Sequence, residues 1–201
     1  INSEYAVINK PNSATISADK MNVVYRGVAN PMTISFAGVA DNNVTASAPG
    51  LSRASGSSYV MNPGQGREVT INVSGTLADG TKVSDSKQFR IKDIPSPIGA
   101  VRGEDGILKM QRNSLEISEV SAKLPDFDFE LNLRVTGFKF NVPGQPTVQV
   151  SGNKLDSRAK DVLRRAQRGS TVQIFDIDAQ IAGNSSYRLK KVSPVLIELT
   201  N

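Results

Sequence analysis

The junction Ile94-Pro95-Ser96-Pro97 constrains the fold of this chain more than any other stretch. Each proline fixes its own φ, lacks an N–H and drives the residue before it toward an extended conformation. The stretch therefore predicts a stiff, extended connector rather than a loose hinge. An alternating strand pattern ends before it, and a new composition begins after it. We predict two tandem domains, over 1–92 and 104–201, held at a set angle by a proline-rich linker over 93–103. The residues of this interdomain junction are Ile94, Pro95, Ser96, Pro97 and Gly99.

Two missing residue types narrow the possible chemistry. The sequence contains no cysteine and no histidine. A disulfide framework and thiolate metal sites are therefore excluded, as are Ser-His-Asp and Cys-His catalysis and histidine-based zinc sites. We predict a protein that is not an enzyme and that has no catalytic residues, no metal and no cofactor.

The net charge favours an anionic partner. The formal charge of +5 suits an acidic protein, an anionic surface or nucleic acid. Aromatic residues make up only 5% of the chain, which is a poor supply of stacking platforms for single-stranded nucleic acid. No apolar run approaches the roughly 20 residues that a membrane-spanning helix needs. Because the chain begins at Ile1 without methionine, we expect a mature or excised fragment.

Short strands separated by Gly, Pro and Asn turns run through the first half. We predict them at 5–9, 14–17, 22–25, 32–36, 44–48, 58–61, 68–74 and 82–91. The turn Ala78-Asp79-Gly80, flanked by alternating apolar residues, predicts a hairpin. Seven or eight short strands at this spacing, without a helical period, predict an immunoglobulin-like β-sandwich over 1–92.

The second half predicts a β-rich domain. We expect short strands around Met110 and at 114–117, 148–150, 172–177, 187–189 and 195–199. The strongest strand pattern spans 126–135, where apolar residues alternate with polar ones. The phase of this alternation changes after Gly137, so we predict a bulge or sharp bend at Thr136–Gly137.

One helix is predicted near 157–168. Asp156 or Ser157 can cap its N-terminus, and Gly169 suits a left-handed residue after its end. The residues spaced for a buried stripe are Ala159, Val162, Leu163 and Ala166. The whole chain is thus predicted to be mainly β, with one short α-helix in its second module.

The other face of this helix is basic and is our candidate partner interface. Its residues are Arg158, Lys160, Arg164, Arg165 and Arg168, with Arg188 and Lys190 as a possible extension. Arginine suits carboxylates and phosphates because its planar guanidinium can bond two oxygens at once. A solvated helix exterior explains the same residues, and from the residues alone it is the favoured interpretation.

Three carboxylates in the strongest strand pattern raise the possibility of hydrolysis. On one strand face Asp126, Asp128 and Glu130 would lie at intervals of about 6.7 Å, which overlaps the spacing of an inverting glycosidase pair. A wet strand face also explains them, and no aromatic sugar cleft flanks them. We therefore rank a hydrolase last among the functions considered.

Several stretches together carry a family resemblance. The stretch Val24-Tyr25-Arg26-Gly27-Val28-Ala29-Asn30-Pro31, the junction 89–97 followed by Gly99, and the segment 168–179 resemble the C-terminal periplasmic region of the GldM/PorM family. The stretch from Arg188 to Pro194 continues the likeness. Ser170 departs from the acidic residue expected after the glycine of the third stretch. The likeness covers most of the chain.

The resemblance implies a part of the machinery for gliding motility and type IX secretion. It implies a dimeric, non-catalytic periplasmic module that transmits energy from an inner-membrane motor to an outer-membrane-associated ring. The implied partners are a GldL/PorL-type motor protein, reached through an N-terminal membrane helix absent here, and ring proteins of the GldK/GldN (PorK/PorN) type. A competing hypothesis is an adhesion module that binds carbohydrate or an anionic surface through the basic patch.

Overall fold

A computed structural model describes residues 21–201, which form two compact units. The first unit contains the described residues up to Val24 together with Asn30–Lys92. The second contains Tyr25–Ala29 and Asp93–Asn201. The strands predicted at 5–9 and 14–17 lie outside the described residues. Tyr25–Ala29, which the predicted first domain includes, packs among residues of the second unit.

The first unit consists of two β-sheets in which the strands pair mainly in antiparallel fashion. Its strands are β1 (Val23–Arg26), β2 (Asn30–Thr33), β3 (Val44–Ser47), β4 (Leu51–Ser55), β5 (Ser58–Met61), β6 (Glu68–Thr76) and β7 (Lys82–Asp93). One sheet has the order β1-β7-β6-β3 and the other the order β2-β5-β4. The predicted hairpin joins β6 to β7 through Asp79, whose carboxylate accepts a hydrogen bond from the Thr81 N–H at 2.9 Å.

The core of the first unit contains side chains from both sheets. Val24, Val69 and Ile71 come from the first sheet and Met61 from the second, and all four are buried. Alternation along β6 places its valines and isoleucine inward and its polar residues outward. Two sheets that share one apolar core fit the predicted immunoglobulin-like sandwich.

The second unit combines a five-stranded sheet, a three-stranded sheet and two helices. Its elements are β8 (Ile98–Val101), β9 (Glu104–Asp105), β10 (Ile107–Met110), α1 (Arg112–Glu116), β11 (Val120–Lys123), β12 (Leu133–Asn141), β13 (Val148–Ser151), α2 (Ser157–Arg164), β14 (Thr171–Ile181) and β15 (Val195–Leu199). The larger sheet has the order β10-β15-β14-β12-β13 and the smaller the order β11-β8-β9. The chain is therefore mainly β, as predicted, but its described residues contain two α-helices rather than the single predicted one.

Two offset bulges interrupt the pairing of β12 with β14. Val135 lies opposite Ala179 and Gly137 opposite Asp178, so β12 carries one extra residue between these pairs. The next pair joins Lys139 to Phe175, so β14 now carries the extra residue and the register is restored. The bulge predicted at Thr136–Gly137 is confirmed. It lets Val135 and Phe138, an odd and an even position, both enter the core.

The structure corrects several predicted elements of the second unit. Residues 114–117 are not a strand, since α1 occupies most of them. Residues 187–189 belong to no strand or helix, and α2 ends at Arg164 rather than near 168. The range predicted as linker, 93–103, contains the last residue of β7 and all of β8, so only 94–97 and 102–103 belong to no strand.

The predicted strand over 126–135 begins only at Leu133. Phe127, Phe129 and Leu131 nevertheless pack on an apolar cluster, while Asp128 and Glu130 stay exposed. Here the alternation belongs to a segment with turns and bends, in which the apolar residues pack on one cluster without forming a strand. In the part of the chain that the structure describes, no helix is long and apolar enough to cross a membrane.

Candidate interaction surfaces

Helix α2 presents the candidate interface, and its own sequence fixes where it starts. The Asp156 carboxylate accepts a hydrogen bond from the Ala159 N–H at 2.8 Å, which selects Asp156 from the two predicted N-cap residues. Ala159, Leu163 and Ala166 are buried against the larger sheet's core, so the basic residues face outward. Beyond Arg164 the backbone tightens into turns.

Two of the predicted interface arginines are bound to the protein itself. Arg158 donates to the Gln149 carbonyl of edge strand β13 at 3.2 Å. Arg164 donates to Glu116 at 2.8 Å and to Asp161 at 2.9 Å. These contacts protect a strand edge and join α2 to the end of α1. Neither guanidinium is fully available to a partner.

Three cations of α2 and the turn after it remain for a partner. Arg165 makes one long hydrogen bond, 3.4 Å, to the Gln145 amide oxygen. The side chains of Lys160 and Arg168 form no hydrogen bond or ion pair with any residue between 21 and 201. Arg168 is exposed and Lys160 is half-buried. The basic surface is therefore smaller than the sequence predicted and is centred on Lys160, Arg165 and Arg168.

Arg188 and Lys190 do not extend this surface. Arg188 lines a cleft with Asp178 and Gln180, which lie on the exposed face of β14. The helix packs on the opposite, buried face, which carries Val172 and Ile174. Lys190 lies two residues after Arg188 and is exposed. The predicted site residues thus divide between two separate surfaces of the second unit.

An ion pair occupies the exposed face of the larger sheet. Lys139 Nζ on β12 lies 2.8 Å from Asp176 Oδ2 on β14. The hydrogen bond and charge of Lys139 lower the pKa of Asp176, and Lys191 lowers it further. The same hydrogen bond and charge of Asp176 raise the pKa of Lys139, with a smaller effect of Asp178. Asp176 has a φ of 45°, a left-handed conformation that the bulge in β14 requires.

An aromatic cluster in the second unit was not predicted. The Tyr25 ring meets Phe127 edge-on at a centroid distance of 4.9 Å and Phe129 at 5.7 Å. Such edge-to-face pairs stabilise a fold beyond the area they bury. A sequence signal existed, because Val23, Val24 and Tyr25 are three apolar residues in succession. A strand with one solvent-exposed face alternates apolar and polar residues, so a run of apolar residues indicates burial on both faces. Here Val24 and Tyr25 pack in two different apolar clusters.

Hydrogen bonds fix the segment Tyr25–Ala29 in the second unit. The Asn184 amide donates to the Gly27 carbonyl at 3.2 Å, and Arg26 forms an ion pair with Asp93. Val28 is buried in the same cluster as the aromatic rings. This segment lies within one of the stretches on which the family resemblance rests.

The predicted junction residues are anchored in the second unit. Ile94 is fully buried, and its N–H donates to the Tyr187 hydroxyl at 3.2 Å. The Pro97 carbonyl accepts from the Ser193 N–H at 3.1 Å, and Gly99 donates to the Ser193 carbonyl at 3.1 Å. Pro95 and Ser96, between these anchors, are exposed. A Cβ on Gly99 would lie 2.5 Å from the Ser193 oxygen, so the close approach requires glycine.

The carboxylates considered for hydrolysis do not form the predicted geometry. Asp126, Asp128 and Glu130 lie on exposed turns and bends before β12 rather than along one strand face. Among residues 21–201, no three carboxylates come together in a group that could hold a metal ion. The spacing argument for a glycosidase pair is therefore lost.

Fold and surfaces together define a tandem β-rich protein whose candidate sites are exposed charged patches. The chain belongs to the GldM family: residues 13–92 match the GldM third domain and residues 95–200 match the GldM C-terminal domain. The resemblance seen in the sequence is thus confirmed. The family places the chain in the gliding-motility and type IX secretion machinery. No match to a curated protein was found.

Proposed function

We propose that this chain is a non-catalytic, periplasmic structural module that transmits energy in the gliding and type IX secretion machinery. It links an inner-membrane motor, through a GldL/PorL-type partner, to an outer-membrane-associated ring of the GldK/GldN (PorK/PorN) type. The observation that carries this proposal is the match of two GldM domains in tandem over nearly the whole chain. In this proposal the longer protein is anchored by a membrane helix and works as a homodimer.

The proposed contact with the ring is the exposed side of α2. Lys160, Arg165 and Arg168 support it, because their charges are not offset by carboxylates within the described residues. Guanidinium groups bind carboxylates in bidentate fashion, and surface charges of one sign speed the encounter with an acidic partner. Arg164 does not belong to this contact, because Glu116 and Asp161 already hold it.

The anchoring of the junction supports a role in transmitting force. Force that enters the second unit along the chain at Asp93 reaches its packed structure only if the chain is fixed there. Ile94 and Pro97 are both buried, and the Pro97 carbonyl is hydrogen-bonded to Ser193. Proline removes backbone freedom from the exposed residues between them.

A pull-down from detergent-solubilised outer membranes tests the docking proposal. The bait is the 201-residue chain, compared with an Arg165→Glu/Arg168→Glu variant. An Arg67→Glu/Lys82→Glu variant, which carries the same charge change on the first unit, is the matched control. Circular dichroism and thermal unfolding verify that the three proteins are folded alike.

We expect the wild-type chain and the control to retain ring proteins and the α2 variant to lose them. Equal retention by all three proteins would remove α2 from the contact. A wild-type chain that retains no ring protein would reject docking through these two domains. Loss of binding in both variants would mean that net charge, rather than the α2 surface, controls retention.

A further inference from the structure

A cleft on the exposed side of β14 lies apart from the proposed docking helix. It has a volume of about 660 Å³ and is lined by Thr136, Asp178, Gln180, Ser185 and Arg188, among others. An adjoining hollow of about 380 Å³ shares Gln180 and Ser185 with it and adds Arg134. Volumes of this order accommodate a ligand or a short peptide segment.

The sheet positions Arg134 and Gln180 side by side in this cleft. They are directly opposite residues of β12 and β14, and both are exposed. Residues opposite one another on neighbouring strands project on the same face. Thr136, two residues further along β12, lines the larger part of the cleft, where its hydroxyl donates to the Asp178 carbonyl at 3.4 Å.

The two guanidinium groups of the cleft are unpaired within the chain. The side chains of Arg134 and Arg188 are exposed and form no hydrogen bond or ion pair with the residues that the structure describes. The two carboxylates nearby differ, because Asp176 is held in an ion pair by another cation, whereas Asp178 lies in the lining without an ion pair to the described residues. Asp176 is paired with Lys139 and also interacts with Lys191, and Asp178 interacts with Lys139. The cleft therefore carries two unpaired positive charges, on Arg134 and Arg188, and one negative charge, on Asp178.

We propose that this cleft binds an acidic, extended segment of a partner protein, with Arg134 and Arg188 holding carboxylates of that segment. Gln180 and Ser185 offer amide and hydroxyl groups for the polar groups between those carboxylates. This surface lies on the opposite face of the sheet from α2, so the second unit can engage two partner segments at once.

Charge and shape favour an acidic protein segment over other anionic partners. The Asp178 carboxylate lies within the cleft and repels a uniformly anionic membrane or polyanion, whereas a peptide can position its carboxylates away from it. Sugar-binding sites rely on exposed aromatic faces, but Tyr187, the aromatic side chain in this lining, is half-buried against Gly27.

Fluorescence anisotropy with a designed probe tests this inference on the 201-residue chain. The probe is a labelled peptide of about ten residues in which Glu alternates with Thr, so that an extended chain presents its carboxylates on one face. A second peptide carries Gln in place of every Glu. The protein variants are Arg134→Gln/Arg188→Gln, Asp178→Asn, and Arg165→Gln/Arg168→Gln as the control on α2.

We expect the Glu peptide to bind the wild-type chain in a salt-sensitive manner and the Gln peptide not to bind. The Arg134→Gln/Arg188→Gln variant should bind about tenfold more weakly and Asp178→Asn about twofold more tightly, as for exposed ion pairs. The α2 control should match the wild type. The proposal is overturned by an absence of binding, or by equal weakening in the cleft and α2 variants.

Heparin serves as a polyanion that is not a protein. If heparin binds as tightly as the Glu peptide and loses the same affinity in the Arg134→Gln/Arg188→Gln variant, the cleft is a general anion site and the assignment to an acidic protein segment is wrong. If heparin binding does not change in this variant, the assignment stands. Because the cleft and α2 variants are separate, failure here leaves the proposed docking of α2 to be judged by its own pull-down.

Discussion

The ring of Tyr187 covers Gly27 so closely that a Cβ built on this glycine would lie 2.5 Å from Tyr187 Cδ2. Gly27 also has a φ of 88°, in the left-handed region. We expect Gly27→Ala to lower the free energy of unfolding of the second unit by about 2–4 kcal/mol, because left-handed strain and overpacking add. Chemical denaturation, followed through amide exchange in β12 and β14, measures this loss.

A second glycine separates the two contributions. Gly183 has a φ of 83°, but a Cβ there would meet nothing within 4 Å. Gly183→Ala should therefore lower the free energy of unfolding only through left-handed backbone strain, by about 1–2 kcal/mol. Equal losses in the two variants would show that the Tyr187 ring moves aside without penalty, and that Tyr25–Ala29 is held loosely.

The edge-on contacts of Tyr25 predict the effect of removing its ring. Tyr25→Ala should destabilise the second unit by about 1–3 kcal/mol, since the side chain is half-buried and pairs with two phenylalanines. Tyr25→Phe retains the ring and should lose much less. Hydrogen exchange of Val135 and Ile174 amides reports on the second unit alone. Slow exchange that is unchanged in Tyr25→Ala would contradict the assignment of Tyr25–Ala29 to this unit.

The ion pair of Lys139 and Asp176 predicts a pH dependence with a definite sign. The pKa of Asp176 is lowered in the folded chain, chiefly by the hydrogen bond and charge of Lys139. Its contribution to stability is therefore present above the unfolded pKa and is lost as the pH falls through the folded pKa. Carboxyl NMR titration should show the Asp176 midpoint rising in Lys139→Gln, and rising less in Lys191→Gln. An unchanged midpoint in Lys139→Gln would refute this coupling.

Sequence patterns predicted many of the strands but missed others, such as β4 and β8, and did not show which extended segments are hydrogen-bonded. The change of phase after Gly137 predicted the bulge correctly, because aromatic residues on both sides of it must face one core. The same reasoning overextended the strand to residue 126. Phe127 and Phe129 alternate with polar residues because they contact the Tyr25 ring, about a hundred residues away in sequence. Local alternation cannot distinguish such tertiary packing from a β-ladder.

The candidate interface was only partly predictable for the same reason. Helical periodicity gave the basic face of α2 and its cap at Asp156, which depend on neighbours in the sequence. The contacts of Arg158 and Arg164 depend on Gln149 and Glu116, which belong to other elements. The sequence alone does not show which arginines form hydrogen bonds or ion pairs within the folded protein.

Arg164 and Arg168 are therefore expected to differ when their charges are reversed. Arg164→Glu places a third carboxylate beside Glu116 and Asp161, so the second unit should lose about 1 kcal/mol of stability, within the range for exposed and partly exposed pairs. Arg168→Glu should leave stability nearly unchanged, because this side chain has no partner among residues 21–201. Thermal and denaturant unfolding measure the stability of the two variants, and the α2 docking assay measures their binding. Together they distinguish a residue that joins the two helices from a residue that contacts a partner. Equal stability of the two variants would mean that the Arg164 contacts contribute nothing, and the docking surface would then include Arg164 as well.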